Sequence, residues 1–236
     1  MRIGSHRGFV TAIIPCLNEA EAIGPLVAEV LAQGLDEVIV VDGGSTDATV
    51  AHAQAAGARV IVETRRGYGR ACAAGAAAAT GGVLVFLDGD GSDDPAFLPA
   101  IAGPVLGGTV DFCIGSRLAG KREPGSLGMQ QIAAGHMAGM LMRLVYGVRF
   151  SDMAAFRAMS RETFDSLGMR EKTFGWNLEM QMRVAAAKLR IREIPIDCRN
   201  RRGGVSKVSG NALAAIPAAW SIAHTFLRLA LTLSKA

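Results

Sequence analysis

The sequence predicts an α/β protein with a mainly parallel central sheet flanked by helices. From residue 9 to about residue 115, short apolar runs alternate with helical patterns, as in repeated strand–helix units. Several of these runs, such as VIVV and VLVF, are wholly apolar, which is typical of strands covered on both faces. Glycine, proline or helix-capping residues separate the successive elements.

The elements of the first half follow in order. FVTAIIP (9–15) predicts a strand, and EAEAIGPLVAEVLAQG (19–34) predicts a helix that ends at Gly34. DEVIVVD (36–42) predicts the second strand, and STDATVAHAQAAGA (45–58) predicts a helix that begins with capping residues. The alternation continues through RVIVET, YGRACAAGAAAAT, GVLVFLD, PAFLPAIAGPVL and TVDFCIGS.

The second half is less regular. Residues 125–147 predict a helix rich in Gly and Met, and FGWNLEMQMRVAAAKLR (174–190) predicts a helix that the strand IREIPID (191–197) follows. The end of the chain predicts a helix with a narrow polar stripe through Thr225 and Arg228 and a broad apolar side. We therefore expect one domain over residues 1–210 and an amphipathic helical extension over residues 211–236. We expect this extension to touch a membrane or a partner, and packing on the protein's own core is the alternative.

The composition narrows the class of protein. A chain of 236 residues, half of them hydrophobic, can bury one globular core, and a net charge of +4 is too small to predict a nucleic-acid partner. The four cysteines are far apart and form no zinc-binding pair, which favours a reducing, cytoplasmic location. No apolar run reaches the ~20 residues that a membrane-spanning helix needs.

Two acidic loops, VDGGSTD and LDGDGSDD, directly follow apolar strands. Because ligands of such sheets bind outside the carboxyl ends of the strands, we expect both loops to line one crevice. Asp88 and Asp90 would face the same side of an extended segment, where two carboxylates suit Mg²⁺ or Mn²⁺ bound together with substrate phosphates. The alternative is a helix cap before Pro95, which explains Asp93 and Asp94 but not Asp88 and Asp90.

The second strand ends at Asp42, whose carboxylate predicts either an acceptor for a base or ribose or a simple turn former. Asp47 is expected to be structural, at the start of a helix. The chain has no G-x-G-x-x-G after its first strand and no G-x-x-x-x-G-K-[ST], which argues against dinucleotide-binding and P-loop proteins.

Eight segments occur in an order that resembles family-2 glycosyltransferases with the GT-A fold, and in particular their dolichyl- and polyprenyl-phosphate hexosyltransferases. The resemblance covers roughly residues 9–210. The segments are IPCLNEAEAI, VIVVDGGSTDAT, RRGYGRA, LVFLDGDGSDDP, GSR, FSDMAAFRAMSR, EMQMRVAAAKLRIREIPI and RNRRGGVSK.

The resemblance implies a role for each matching residue. The nucleotide-sugar donor would contact Pro15, Asn18, Glu19, Asp42, Gly67, Asp88 and Lys207. Asp88 and Asp90 would hold the metal and the donor diphosphate, and Arg201, with Ser206 and Lys207 in the same motif, would approach that diphosphate. Arg117 would lie near the transferred sugar, and Asp152 and Arg157 would shape the acceptor side.

Two positions depart from the family pattern, because Ser92 stands where a glutamine is frequent and Ile132 stands where many relatives have an arginine for the acceptor phosphate. Glu179 matches a position that is commonly acidic, and it could act as a base toward an acceptor or form an ion pair with Arg183, four residues on.

The function expected from the resemblance is a metal-dependent, inverting transfer of a hexose from UDP-glucose or GDP-mannose to a polyprenyl-phosphate type of acceptor. In such an enzyme, the metal would stabilise the leaving diphosphate while Arg117 and Arg201 offset the developing charge. A hydroxyl acceptor is the main alternative, and a nucleotidyltransferase is a rival of another class. A cytoplasmic enzyme, peripheral at the membrane face, is expected; the sequence predicts no oligomeric state.

Overall fold

Seven strands form one sheet in the structure, a computed structural model that describes residues 9–203 and 224–230. The strands are β1 (Val10–Cys16), β2 (Glu37–Asp42), β3 (Arg59–Val62), β4 (Val83–Phe86), β5 (Phe112–Ser116), β6 (Arg157–Ser160) and β7 (Ile191–Pro195). Their order across the sheet is β3-β2-β1-β4-β6-β5-β7. Neighbouring strands are parallel except that β6 runs antiparallel to β4 and β5, so the predicted mainly parallel sheet is confirmed.

Helices cover both faces of this sheet. They are α1 (Ala20–Ala32), α2 (Thr49–Ala55), α3 (Tyr68–Ala78), α4 (Leu98–Leu106), α5 (Met129–Tyr146), α6 (Arg161–Leu167) and α7 (Trp176–Ala186). Residues 224–230 are helical as well. No helix among the described residues combines the length and apolar character needed to cross a bilayer.

The core forms two layers because side chains alternate between the faces of each strand. Ala12 and Ile14 of β1 join the layer that contains apolar residues of α1 and α4, whereas Ile13 between them joins the layer formed with α3, α5 and α7. All seven residues of β1 are buried. This central strand therefore has the two covered faces that its apolar sequence predicts.

Strand β6 and helix α6 were not expected from the sequence. The strand is only four residues long, RAMS, and it begins with the charged residue Arg157, so it lacks the apolar run that indicates a buried strand. The structure compensates by burying the arginine completely and binding its guanidinium to backbone carbonyl groups. Tertiary contacts, rather than local pattern, thus place β6 between β4 and β5.

The C-terminal helical segment packs on the protein through its predicted polar stripe. Thr225 is fully buried and donates to Glu171 Oε2 at 2.9 Å, and Arg228 lies 3.5 Å from the same carboxylate. Leu229 joins the core, whereas the side chain of Leu227 is 63% exposed. The predicted boundary at residue 210 and most of the predicted extension lie outside the described residues.

Candidate active site

The carboxyl ends of β1, β2 and β4 meet at one edge of the sheet, and both acidic loops lie there. Asp42 is the last residue of β2, and the loop that contains Asp88 and Asp90 follows β4. Because β6 is antiparallel, its first residue rather than its last lies at this edge, where Arg157 pairs with Phe86. The segment before β6 therefore reaches the same crevice.

Hydrogen bonds between the loops after β1 and β2 organise the surroundings of Asp42. Asn18 N donates to Ser45 Oγ at 2.8 Å, and Asn18 Oδ1 accepts from Thr46 N at 2.9 Å. One oxygen of Asp42 accepts from the amides of Gly44 and Ser45 at 3.0 Å each. Its other oxygen is buried and accepts no hydrogen bond from the described residues. That oxygen is suited to a donor group on a ligand.

Asp47 ties the same two loops together. Its carboxylate accepts from Thr49 N at 3.0 Å and from Ala20 N at 3.3 Å, at the starts of α2 and α1. These bonds agree with the structural role expected for Asp47. Pro15 is buried in β1, in register with Val41, one residue before the end of the strand.

Three carboxylates cluster after β4. Asp88 and Asp90 are half-buried, and Asp93 is buried with an exposure of 1%. Burial, followed by the charge of Asp90, raises the pKa of Asp88, while burial and the charge of Asp88 raise the pKa of Asp93. Asp93 also accepts from Asp88 N at 3.2 Å, whereas Asp94 is the cap of the turn that begins at Pro95. The capping alternative thus accounts for Asp94 alone.

This cluster fits a divalent cation. Its ligand atoms are hard carboxylate oxygens, whose pKa values are raised first by burial and then by their mutual repulsion, which a cation would offset. Gly89 lets the loop press against β1, because a Cβ there would lie 3.0 Å from Pro15 O. No three His, Cys, Asp or Glu side chains within residues 9–203 and 224–230 form a complete metal cage. Asp88 and Asp90 would therefore share the ion with substrate phosphates.

Arg201 lies directly across the crevice from the carboxylate cluster. Its guanidinium is 3.1 Å from Asp90 Oδ2 and 2.8 Å from Glu19 Oε1, and its Nε is buried without a hydrogen-bond partner among the described residues. The neighbouring Arg199 pairs with Glu29 at 3.0 Å and with Asp94 at 2.7 Å. Ser206 and Lys207 of the same predicted motif lie outside the described residues.

Arg117 and Asp152 form a two-pronged ion pair at the same edge. Arg117 Nε and Nη2 each lie 2.9 Å from an oxygen of Asp152, and Arg117 N donates to the same carboxylate at 3.0 Å. Burial alone would raise the pKa of Asp152, but the bonds from Arg117 hold it below its ordinary value. Burial alone would lower the pKa of Arg117, but the bonds and charge of Asp152, followed by the charges of Asp93 and Asp88, raise it. Arg117 is thus a fixed cation facing the acidic cluster.

The structure buries two residues for which the sequence predicted a role, Glu179 and Arg157. Glu179 is fully buried, and its oxygens accept from Arg183 Nε at 2.9 Å, from Arg170 N at 3.0 Å and from Glu171 N. It shows the ion pair that the sequence left open and has no exposed oxygen to act on a substrate, so the predicted catalytic role is wrong. Arg157 is also fully buried, and its guanidinium binds Asn177 O at 3.1 Å and Ala155 O at 3.2 Å, so its predicted shaping of the acceptor side would act through the backbone.

Tyr68 also belongs to this site, although it was not predicted from the sequence. Its hydroxyl donates to Asp88 Oδ1 at 3.1 Å. It stands between Gly67, which was predicted to contact the donor, and Gly69, in the segment RRGYGRA. An aromatic residue with one polar atom, flanked by two glycines at the ligand-binding edge, was the available signal.

Comparison with known proteins identifies the family. The sequence pattern of glycosyl transferase family 2 matches residues 11–168. The chain belongs to this family. It is a glycosyltransferase with the GT-A fold, as the sequence predicted.

Relatives and solved structures agree with this assignment. An uncharacterized glycosyltransferase of Mycobacterium tuberculosis is 36% identical over 209 residues, covering 88% of this chain and 93% of that protein. Glucosyl-3-phosphoglycerate synthase of Mycolicibacterium smegmatis is 41% identical over 109 residues, covering 41% of this chain and 36% of that protein. The M. tuberculosis synthase, solved with Mn²⁺, UDP-glucose and phosphoglyceric acid, has a TM-score of 0.74 at 23% identity, covering 94% of this chain and 79% of that one.

Proposed function

We propose that this enzyme transfers a hexose, with inversion, from a nucleoside diphosphate sugar to a phosphate-bearing acceptor, using Mg²⁺ or Mn²⁺. The observation that carries the proposal is the convergence of Asp88, Asp90 and Asp93 at the carboxyl end of β4, opposite Arg201. Two carboxylates and an arginine at the ligand-binding edge of the sheet suit a metal-bound diphosphate leaving group.

Each group has a distinct task in the proposed reaction. The buried free oxygen of Asp42 would accept a hydrogen bond from the base or ribose of UDP-glucose or GDP-mannose. Asp88 and Asp90 would hold the cation, which supplies a positive charge against the leaving diphosphate. Arg201 would turn from Asp90 toward that diphosphate, and Arg117 would offset charge where the sugar is transferred.

A polyprenyl-phosphate type of acceptor at a membrane surface is the finer proposal. A cleft of about 410 Å³ lies beside the acidic loop between residues 121–124 and 197–199. Its lining is mixed in charge, with cations from Lys121, Arg122 and Arg199 and carboxylates from Asp94, Glu123 and Asp197. Large apolar side chains of α5 are exposed, with Met137 at 60% and Leu144 at 74%. We propose that these features hold the acceptor phosphate and a lipid surface at the cytoplasmic face.

A soluble phosphate-bearing hydroxyl compound is the second candidate acceptor. It is favoured by the similarity to glucosyl-3-phosphoglycerate synthase and by Ile132, which replaces the arginine that the lipid-phosphate branch provides.

The test is a matrix of two donors and three acceptors. Purified enzyme with Mn²⁺ is given UDP-glucose or GDP-mannose together with polyprenyl phosphate, 3-phosphoglycerate or an uncharged alcohol, and both the released nucleotide and the glycosylated product are measured. We expect transfer to polyprenyl phosphate, with Asp88→Asn as the inactive control. Transfer only to 3-phosphoglycerate would select the second candidate, and transfer only to the uncharged alcohol would contradict the proposal of a phosphate-bearing acceptor.

A further inference from the structure

Tyr68 makes a direct contact with the acidic cluster. Its hydroxyl lies 3.1 Å from Asp88 Oδ1 and supplies the hydrogen bond that this carboxylate receives from the described residues. A hydroxyl bound to one oxygen of a carboxylate fixes the plane of the group and leaves the second oxygen to face the crevice.

The backbone around Tyr68 is held by close packing against residues 171 and 172. A Cβ on Gly67, whose φ is 143°, would lie 2.2 Å from Lys172 O, and a Cβ on Gly69 would lie 2.7 Å from Glu171 O. Arg70 N donates to Lys172 O at 3.2 Å. Glycine is therefore required on both sides of Tyr68, and the direction of its side chain is set by this contact.

The supporting segment is itself anchored from two directions. The buried carboxylate of Glu179 accepts from the amides of Arg170 and Glu171. The side chain of Glu171 accepts from Thr173 Oγ1 at 2.7 Å and from Thr225 Oγ1 at 2.9 Å. Polar contacts, several of them partly buried, thus link α7 and the C-terminal helical segment to the backbone that carries Tyr68.

We propose that Tyr68 is a positioning residue for the metal site, acting by orienting the carboxylate of Asp88. This inference rests on the proposed role of Asp88 as a metal ligand. In this proposal the G-Y-G segment, residues 67–69, determines the geometry of the cation site and does not contact the donor. Glu179, excluded as a base, supports the same geometry from α7.

The experiment measures Mn²⁺ binding rather than turnover. Free Mn²⁺ is followed by electron paramagnetic resonance at pH 7 with saturating UDP, for the wild type, Tyr68→Phe, Tyr146→Phe, Asp88→Asn and the Tyr68→Phe/Asp88→Asn double variant. Tyr146 is the other of the chain's two tyrosines and is the matched control, because its buried hydroxyl binds no group among the described residues.

We expect Tyr68→Phe to weaken Mn²⁺ binding about tenfold, as the loss of a hydrogen bond to a charged group does, and Tyr146→Phe to leave it unchanged. In the Asp88→Asn background, Tyr68→Phe should add no further loss, since Tyr68 acts through Asp88. UDP affinity without metal and the urea midpoint should stay at wild-type values in Tyr68→Phe.

The outcomes separate the two proposals. If Asp88→Asn weakens Mn²⁺ binding but Tyr68→Phe does not, the inference is overturned and the proposed metal site stands. If Asp88→Asn binds Mn²⁺ as the wild type does, the metal site and the inference both fail. A third outcome would also overturn the inference. If Tyr68→Phe lowers the urea midpoint and also lowers Mn²⁺ affinity by the same factor in the wild-type and Asp88→Asn backgrounds, Tyr68 has a general packing role.

Discussion

Replacing Glu179 by Gln tests whether this carboxylate is a structural anchor. A solvent-exposed ion pair four residues apart on a helix is worth ~0.3–0.5 kcal/mol, whereas breaking a buried pair costs ~3–5 kcal/mol. Glu179 is fully buried and binds two backbone amides as well as Arg183, so the second figure applies. Arg183 keeps a bond to Leu167 O at 2.9 Å and 15% of its side-chain surface remains exposed, which favours the lower end, about 3 kcal/mol.

For a chain of this length, about 3 kcal/mol corresponds to a fall in Tm of roughly 6–12 °C. Urea denaturation at pH 7, followed by tryptophan fluorescence, measures the loss in free energy of unfolding. The matched control is Asp111→Asn, which makes the same chemical change in the surface pair of Asp111 with Arg190 and should lower stability much less. A loss for Glu179→Gln below about 1 kcal/mol, or no larger than that of the control, would refute the assignment of Glu179 as a buried anchor.

Three further predictions concern the crevice. Asp90→Asn should abolish transfer at saturating Mn²⁺, and near-normal transfer would argue against the metal role of Asp90. The same change should alter the stability of the metal-free protein by less than about 1 kcal/mol, because it removes a partly exposed pair with Arg201 and relieves repulsion between the carboxylates. The pKa of Asp93 is raised from 3.8 to about 7, so the metal-free protein should lose stability as the pH rises from about 4 to about 7. Asp93→Asn should reduce this decline, measured in EDTA, and an unchanged slope of stability against pH would contradict the raised pKa. Asp42→Asn should weaken UDP binding about tenfold by calorimetry, since an amide presents a donor where the free oxygen accepts; equal affinity would place the nucleotide elsewhere.

The nucleotide half of the fold could be predicted because its signals are local. Each strand from β1 to β4 is an apolar run followed by a turn, and Asp42, Asp88 and Asp90 stand at strand ends where a parallel sheet collects its ligands. The second half depends on contacts distant in sequence. A four-residue strand beginning with a buried arginine shows no local pattern, because carbonyl groups of residues 154, 155 and 177 bind its guanidinium.

The side-chain partners inside the site were harder to predict than the carboxylates. Glu179 could be a base or an anchor, and only its burial distinguishes the two. Tyr68 carries no charge, so nothing in its spacing pointed to Asp88, twenty residues away in sequence. Asp93 looks identical to Asp94 in the sequence, yet the first is buried in the acidic cluster and the second caps a turn.

The reversed direction of β6 has a consequence for how enzymes of this architecture can diverge. The residues predicted to contact the donor, such as Asn18 and Asp88, lie on short loops between consecutive strands and helices. A change in the length of one of these loops would shift several elements. The chain between β5 and β6, from residue 117 to residue 156, leaves the ligand-binding edge and returns to the same edge. Its length can therefore change without altering the register of any strand pair. A different loop around residues 118–128 would change the surface beside the crevice while the strands that carry Asp42 and Asp88 keep their places. Under the proposed function, exchanging this loop between relatives is expected to change acceptor choice.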